Sequence, residues 1–351
     1  MSKLKAIKNF LYVFIFSRLK IKNGEVKDFT LGKLKKPDHN PLIEPEEEND
    51  WEKWQTFNPA AILIDDEIHL VYRALGPDGA SRFGYARTTD GLIVEERLSY
   101  AIYAHKSVGT CLNIEALASG GGFQGCEDPR MMRVEGEDRI YMTYTACDGG
   151  LRIGLTSIKV EDFVNKNWKW ETPKLISPPG EIHKNWVIFP EKIKGKYAII
   201  HSISPEISID YRDNLKFNGE ERHIESTFTN GGPVEDGWEE YIRGVGAPPI
   251  KTKYGWLILY HAMDKNDPGK YKVGAMLLDL EDPQKVLHRS KDPILEPDCW
   301  HDNNGFKPGV VYVTGAVAKD GKLYIYYGGA DSYVNVAYAD FEQFLQNLIQ
   351  Q

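Results

Sequence analysis

EDPRMMRVEGEDRIYMTYTA (residues 127–146), followed after four residues by LRIGLTSI (residues 151–158), is the stretch on which the fold turns. It reads as an apolar strand, a polar glycine-containing turn, a tyrosine-rich strand and a third strand. That is the signature of an antiparallel meander. The same pattern occurs four more times. Its first two strands recur as NPAAILIDDEIHLVYRA (58–74), FPEKIKGKYAIIHSI (189–203), APPIKTKYGWLILYHAM (247–263) and TGAVAKDGKLYIYYGGA (314–330). The matching third strands are SRFGYART (81–88), ISIDYRDN (207–214), YKVGAMLL (271–278) and YVNVAYAD (333–340).

A lone meander cannot bury both of its faces, whereas repeated sheets packed radially can, and they protect their edges as well. Five copies therefore predict an all-β chain, a five-bladed β-propeller spanning residues 40–351, with residues 1–39 as an N-terminal extension. The similar segments NPLIEP (40–45) and DPILEP (292–297) are candidates for fourth strands, and FEQFLQNLIQQ (341–351) for a short helix. No strand–helix alternation of the parallel kind appears. A two-sheet sandwich is the competing architecture.

Composition narrows the function. The chain of 351 residues is 42% hydrophobic and 27% charged, with a net charge of −8. It lacks the basic balance that a nucleic-acid partner would demand. The 8 Trp and 19 Tyr suit strands, and they also suit sugar recognition, because aromatic faces stack on pyranose rings. Cys111, Cys126, Cys147 and Cys299 show no metal-binding or redox spacing, which fits a reducing cytoplasm and predicts no metal. FLYVFIF (10–16) is too short to span a bilayer and lacks a cleavage site after it, so it reads as a packing segment and not a membrane anchor.

In a radial arrangement the first strands line the central channel. There GCEDPR (125–130) places Glu127, Asp128 and Arg130 where the other copies carry small or neutral groups. Adjacent strand residues point to opposite faces, so only one of the two carboxylates is expected to face the channel. A carboxyl in a partly dry pocket can serve as general acid. The alternative is a turn salt bridge between Asp128 and Arg130.

These residues resemble those of glycoside hydrolase family 130, the β-mannoside phosphorylases and β-1,2-mannosidases. So do NPAA, RFGYARTTDG, IYMTYTA, FPEKIKGKY, GAMLLDLEDP, ILEPD and YYGGAD, in that order over residues 40–340. The resemblance implies a five-bladed propeller, with Asp128 as the acid, relaying its proton through a sugar hydroxyl, and inversion at the anomeric carbon. It implies substrate contacts from Asn58, Arg73, Arg130, Tyr144 and Asp331.

Phosphate or water as nucleophile is the fork. Where the family's phosphorylases tend to carry a His–Arg pair, this chain has His201–Ser202. Where they tend to carry a lysine it has Ile242, followed by Arg243. Lys184, Arg243, His261 and Tyr271 remain as phosphate-site candidates. The thinned cation set leans toward an inverting β-mannosidase, which needs a second carboxylate as base. Glu225, Glu239 and Glu240 are the candidates. The alternatives are an inverting β-mannoside phosphorylase that uses inorganic phosphate and releases mannose 1-phosphate, and a non-catalytic carbohydrate-binding propeller. The expected partner is an oligosaccharide or small glycoside, with homo-oligomerisation left open. Loops at residues 104–125 and 210–237 are expected to set linkage preference.

Overall fold

The computed structural model describes residues 19–22, 25–28, 33–106, 124–218, 222–226 and 237–351. The apolar segment at residues 10–16 lies outside them. So do residues 107–123 of the first expected mouth loop and 219–221 and 227–236 of the second.

The fold is all-β, built mainly of five successive antiparallel meanders. The first is Gln55–Ile64, Glu67–Leu75 and Ala80–Thr88, and the second Gln124–Arg133, Arg139–Cys147 and Leu151–Lys159. The third is Val187–Ile188, Tyr197–Ser202 and Ser208–Arg212. In the fourth, Glu239–Val245 and Ile250–Thr252 share the role of first strand beside Gly255–Asp264, which pairs with Asp267–Leu278. The fifth is Val311–Lys319, Lys322–Gly329 and Tyr333–Asp340. Three of the hairpins between first and second strands turn through consecutive positive-φ pairs: Asp65–Asp66, Lys194–Gly195 and Asp320–Gly321. That backbone matches the right-handed twist of the strands it joins.

Each second strand is an apolar run because its two faces enter different cores. In the first sheet Val71 packs with Met131, Met142 and Tyr144 of the second, while its neighbours Leu70 and Tyr72 pack with Tyr324, Tyr326 and Val336 of the fifth. Ile199 joins Met132 and Ile153 of the second sheet, and Ala198 and Ile200 join Trp256 and Tyr260 of the fourth. Leu257 and Leu259 close the order against Leu323 and Ile325 of the fifth. Every sheet thus shares a core with the next in sequence, and the fifth shares one with the first. The period-2 alternation of a strand is what allows one sheet to serve two cores.

The expected fourth-strand segments occupy equivalent edges. Ile43 bridges Val334 and Leu295 bridges Val273, each at a single antiparallel pairing. Lys35 also bridges Tyr338, so residues 35–43 cover the outer edge of the fifth sheet. The helix expected near the C-terminus forms at Phe341–Gln350. It is capped by Asp340, whose side chain accepts from the Gln343 N–H, and it buries Phe344, Leu345 and Leu348 against the core of sheets four and five. Among the described residues no helix is long and apolar enough to cross a membrane.

Candidate active site

Two first strands break their pairing at the same place. The ladder skips between Phe57 and Ala60 in the first sheet and between Glu127 and Arg130 in the second. The skipped residues are Asn58–Pro59 and Asp128–Pro129. Asn58 (φ 45°) and Asp128 (φ 52°) take the left-handed conformation that Asn and Asp tolerate best. The following proline has no N–H to leave unpaired in the bulge. The fourth and fifth sheets bulge likewise between Ile242 and Gly244 and between Val313 and Gly315.

The bulges bring the two side chains together. Asn58 Nδ2 donates to Asp128 Oδ1 at 2.8 Å. Arg73, buried on the second strand of the first sheet, donates from Nη1 to Asp128 Oδ1 at 3.1 Å and from Nη2 to Glu127 Oε1 at 3.0 Å. Strict strand alternation would have parted Glu127 from Asp128, but the bulge turns both toward one guanidinium. Lys184 Nζ donates to Glu127 Oε2 at 3.2 Å.

Arg130 does not pair with the Asp128 carboxylate. Its Nη1 donates to the Asp128 carbonyl at 2.8 Å, its Nε to the Gly246 carbonyl at 2.7 Å and its Nη2 to Asn185 Oδ1 at 2.7 Å. Asn185 passes the network on. Its Oδ1 also accepts from the Tyr312 hydroxyl at 2.8 Å, and its Nδ2 donates to the Arg243 carbonyl at 2.6 Å. Tyr312 stacks on His261 at 3.8 Å between ring centroids, and His261 Nε2 lies 2.9 Å from both the nitrogen and the oxygen of Val313. Residues of sheets one, two, four and five, with the strand-preceding segment of sheet three, therefore meet around Asp128.

The electrostatics follow from burial and these partners. Burial pushes the Asp128 carboxyl up, but Arg73, Lys184 and Arg130 together outweigh it and hold it below the usual carboxylate range. For Asp331 burial wins over Lys307 and Arg73, and its carboxyl is pushed up to about 6. Burial, reinforced by Arg130, pushes the His261 imidazole down to about 3, so the ring is neutral. Arg243 and Lys307 flank the Tyr271 ring, 5.9 and 4.9 Å from its centroid. Lys184, Ser202 and Arg243 line a cavity of about 40 Å³ with His201 and Ser226, whose side chains bond each other at 2.9 Å. Asn58 Oδ1, Thr145 Oγ1, His261 Nδ1 and Thr314 Oγ1 are buried without a hydrogen-bond partner among the described residues. Buried polar atoms of that kind suit a ligand rich in hydroxyls.

Four expected site residues lie elsewhere. The Tyr144 hydroxyl bonds Tyr103 at 2.7 Å and His105 at 2.8 Å in the core between sheets one and two. Its ring covers Gly154, where a Cβ would come within 2.3 Å, as Tyr72 covers Gly84 and Tyr260 covers Gly274. Its position follows from this repeated packing device, not from ligand contact. Glu225 is exposed and pairs with His223 at 3.0 Å. Glu239 is buried under the Tyr260 hydroxyl, with Arg289 3.6 Å away. Glu240 is half-buried and lies at a second register shift of its strand, between Glu239 and Tyr241, away from the Ile242–Gly244 bulge. Asn185 and Tyr312 had no motif to announce them, although Tyr312 stands just two residues before the fifth repeat begins.

Among the described residues, Asp298, Cys299 and Asp302 form a group that could in principle hold a cation. The Lys36 ammonium already sits in it, bonded to Asp298 and, at 2.6 Å, to Asp302.

A family model described as beta-1,4-mannooligosaccharide phosphorylase, Glyco_hydro_130, matches residues 33–350. A 1,2-beta-oligomannan phosphorylase of Thermoanaerobacter sp. (strain X514) is 37% identical over 87% of this chain and 96% of its own. A beta-1,2-mannobiose phosphorylase of the same strain is 34% identical over 89% and 98%. Among solved structures, a glycosyl hydrolase from Bacteroides ovatus superposes with a TM-score of 0.70 at 25% identity, over 91% of this chain and 96% of that one.

Proposed function

The chain belongs to glycoside hydrolase family 130, an enzyme family, and we propose that it is an inverting phosphorylase of β-1,2-linked mannooligosaccharides. This corrects the balance struck from the sequence, which leaned toward hydrolysis on the missing arginine at Ser202. The observation that carries the reading is the charge around Asp128. Arg73, Arg130 and Lys184 act on Asp128, Lys307 acts on Asp331, and Arg243 shares the Tyr271 ring with Lys307, five cationic groups near the carboxylates of Glu127, Asp128 and Asp331. The surplus of two matches a phosphate dianion, for which convergent charge-assisted donors are the natural receptor. Arg243 lines the same small cavity as Ser202 and can supply the guanidinium that Ser202 lacks. Two of the three candidate bases lend the hydrolytic alternative no support, since Glu225 faces solvent and Glu239 is buried beneath the Tyr260 hydroxyl.

In this mechanism a phosphate oxygen attacks the anomeric carbon of the terminal mannose as the glycosidic C–O bond breaks. Asp128 supplies the proton that the leaving oxygen takes up, through the sugar-hydroxyl relay that the family resemblance implies. The products are mannose 1-phosphate and an oligosaccharide shorter by one unit. Without ligand, Asp128 is held ionised by its cations. A phosphate dianion beside those cations offsets their field and raises the carboxyl, so the second substrate helps to load the acid. Asn58 and Arg73 hold Asp128 in place, and Arg130 fixes the backbone beneath it.

The cyclic order of cores supports reading the five meanders as blades of a propeller over residues 40–351, with Asp128 near its axis. The free thiols of Cys126, Cys147 and Cys299 suit the cytoplasm, where phosphate is also at hand. The test is to incubate the protein with β-1,2-mannobiose with and without phosphate. Mannose 1-phosphate that forms only when phosphate is present is the expected result. Free mannose released at the same rate in both would overturn the reading in favour of hydrolysis.

A further inference from the structure

Next to the loop that carries Asp331 lies a group of aromatic rings that the reaction itself does not use. Trp300 is 60% exposed and Phe306 53% exposed. The Trp300 ring stands 5.8 Å from that of Tyr333 and 5.6 Å from that of His301, and His301 and Tyr333 are 5.9 Å apart, all as centroid distances. Scattered exposed rings need no explanation. Trp300, more than half exposed and set close to two further rings at the border of a polar site, with Phe306 exposed on the same segment, does.

The support beneath them is rigid. Asn303 Nδ2 donates to the Pro297 and Cys299 carbonyls at 2.9 Å each, and buried Asp302 is held by Lys36 at 2.6 Å. The segment is also fastened to the Asp331 loop. Phe306 N–H donates to Ser332 Oγ at 2.8 Å, and Lys307 N–H to the Ala330 carbonyl at 2.9 Å. Gly305 fits so tightly that a Cβ would lie 2.6 Å from Ser332 Oγ and 2.7 Å from the Ala330 carbonyl oxygen. On its inner side the same loop reaches the central site, since Gln55 Nε2 donates to the Asp331 carbonyl at 2.7 Å and the Asp331 carboxyl feels Arg73 and Lys307.

From this continuity we infer that Trp300, backed by His301 and Tyr333, and Phe306, fastened to Ser332 through its N–H, form an outer sugar-binding shelf for mannose units beyond the pair that spans the cleaved bond. The inference rests on the phosphorylase reading above and extends it to chain length: it gives oligosaccharides longer than two units a binding advantage over the disaccharide. The chemistry is that of a carbohydrate. The C–H face of a pyranose stacks on an aromatic ring while its hydroxyls stay in water, so the rings can remain exposed when unoccupied. Because the backbone is already fixed, little ordering is needed on binding.

The experiment compares β-1,2-mannobiose with β-1,2-mannotetraose, at saturating phosphate, for wild type, Trp300→Ala, Phe306→Ala and Trp300→Phe. The expected result is a KM for the tetrasaccharide that rises about three- to tenfold more than the KM for the disaccharide in each alanine variant. Trp300→Phe, which keeps a ring and guards against misfolding of the alanine variant, should restore most of the difference. An equal change for both sugars, or none for either, overturns the shelf. An equal change accompanied by a lower molar mass in light scattering would mean that the rings contact a second copy of the chain. Calorimetric titration of Asp128→Asn protein with the two sugars separates the two levels. If neither sugar binds, the mannoside reading itself falls; if both bind with the same affinity before and after Trp300→Ala, only the shelf does.

Discussion

Asn58–Pro59 and Asp128–Pro129 use one backbone device twice. Both sit in a bulge of a first strand, both residues have positive φ, both precede a proline, and their side chains are 2.8 Å apart. They differ by an amide in place of a carboxylate. The amide can donate, so it holds the carboxylate, and the carboxylate can exchange a proton, so it can do chemistry. The repeat supplies the position, and the side chain decides whether that position is structural or reactive.

Making the pair neutral on both sides should have the largest effect. Asp128→Asn is expected to lower kcat for phosphorolysis by about 10²–10⁴-fold while leaving the melting temperature near that of wild type. A loss below tenfold in a steady-state assay of mannose 1-phosphate would remove Asp128 from the role of acid.

Asp331 extends the comparison to a carboxyl that burial, not a cation, controls. Its folded-state pKa of about 6 lies above the usual value of 3.8. The favourable contribution of the protonated group is therefore full below pH 3.8, declines as pH rises and is lost once pH has passed about 6. Above that pH the ionised carboxylate costs at most about 3 kcal/mol. Asp331→Asn should raise the melting temperature at pH 7.5, and the gain should vanish near pH 4. Thermal scans at the two pH values check this, and an equal gain at both would refute it.

Making the pair acidic on both sides tests the field. Asn58→Asp sets a second carboxylate against Asp128 and cancels one unit of the cationic surplus. KM for phosphate should rise about tenfold, and the acid limb of the pH–rate profile should move to higher pH, since like charges raise each other's pKa. A profile identical to wild type would show that the two side chains are not coupled.

Tyr144→Phe should have the smallest effect on the reaction. It removes the hydroxyl shared with Tyr103 and His105 and should cost about 1 kcal/mol of stability, read by denaturant titration. KM for mannoside should stay within twofold, because the ring remains over Gly154. A large rise in KM would restore Tyr144 to the substrate site.

Part of the candidate site's geometry was legible because Asn58, Glu127 and Asp128 stand at repeat starts. The same register that aligned NPAA with EDPR put Asn58 and Asp128 at equivalent, channel-lining repeat starts. What escaped had no local signal. Arg130 reaches Gly246 across 116 residues and Tyr312 reaches Asn185 across 127. Asn185 lies between sheets, in a segment with no periodicity to read. Tyr144 misled for the opposite reason: its pattern was real, but it marks a tyrosine covering a glycine, which recurs in three sheets.

Alone, the sequence determined the five meanders, their all-β character, the family resemblance and the singular acidic start at Glu127–Arg130. Strand alternation and turn chemistry are local, and local patterns survive in one dimension. Only the tertiary structure decided that Glu127 and Asp128 share one guanidinium, that Arg243 and Lys307 flank the same ring, and that Glu225 and Glu239 are occupied away from Asp128. Those facts depend on bulges and on contacts between sheets. Those contacts set the local sum of charge, which supports the proposal of phosphate over water as the nucleophile.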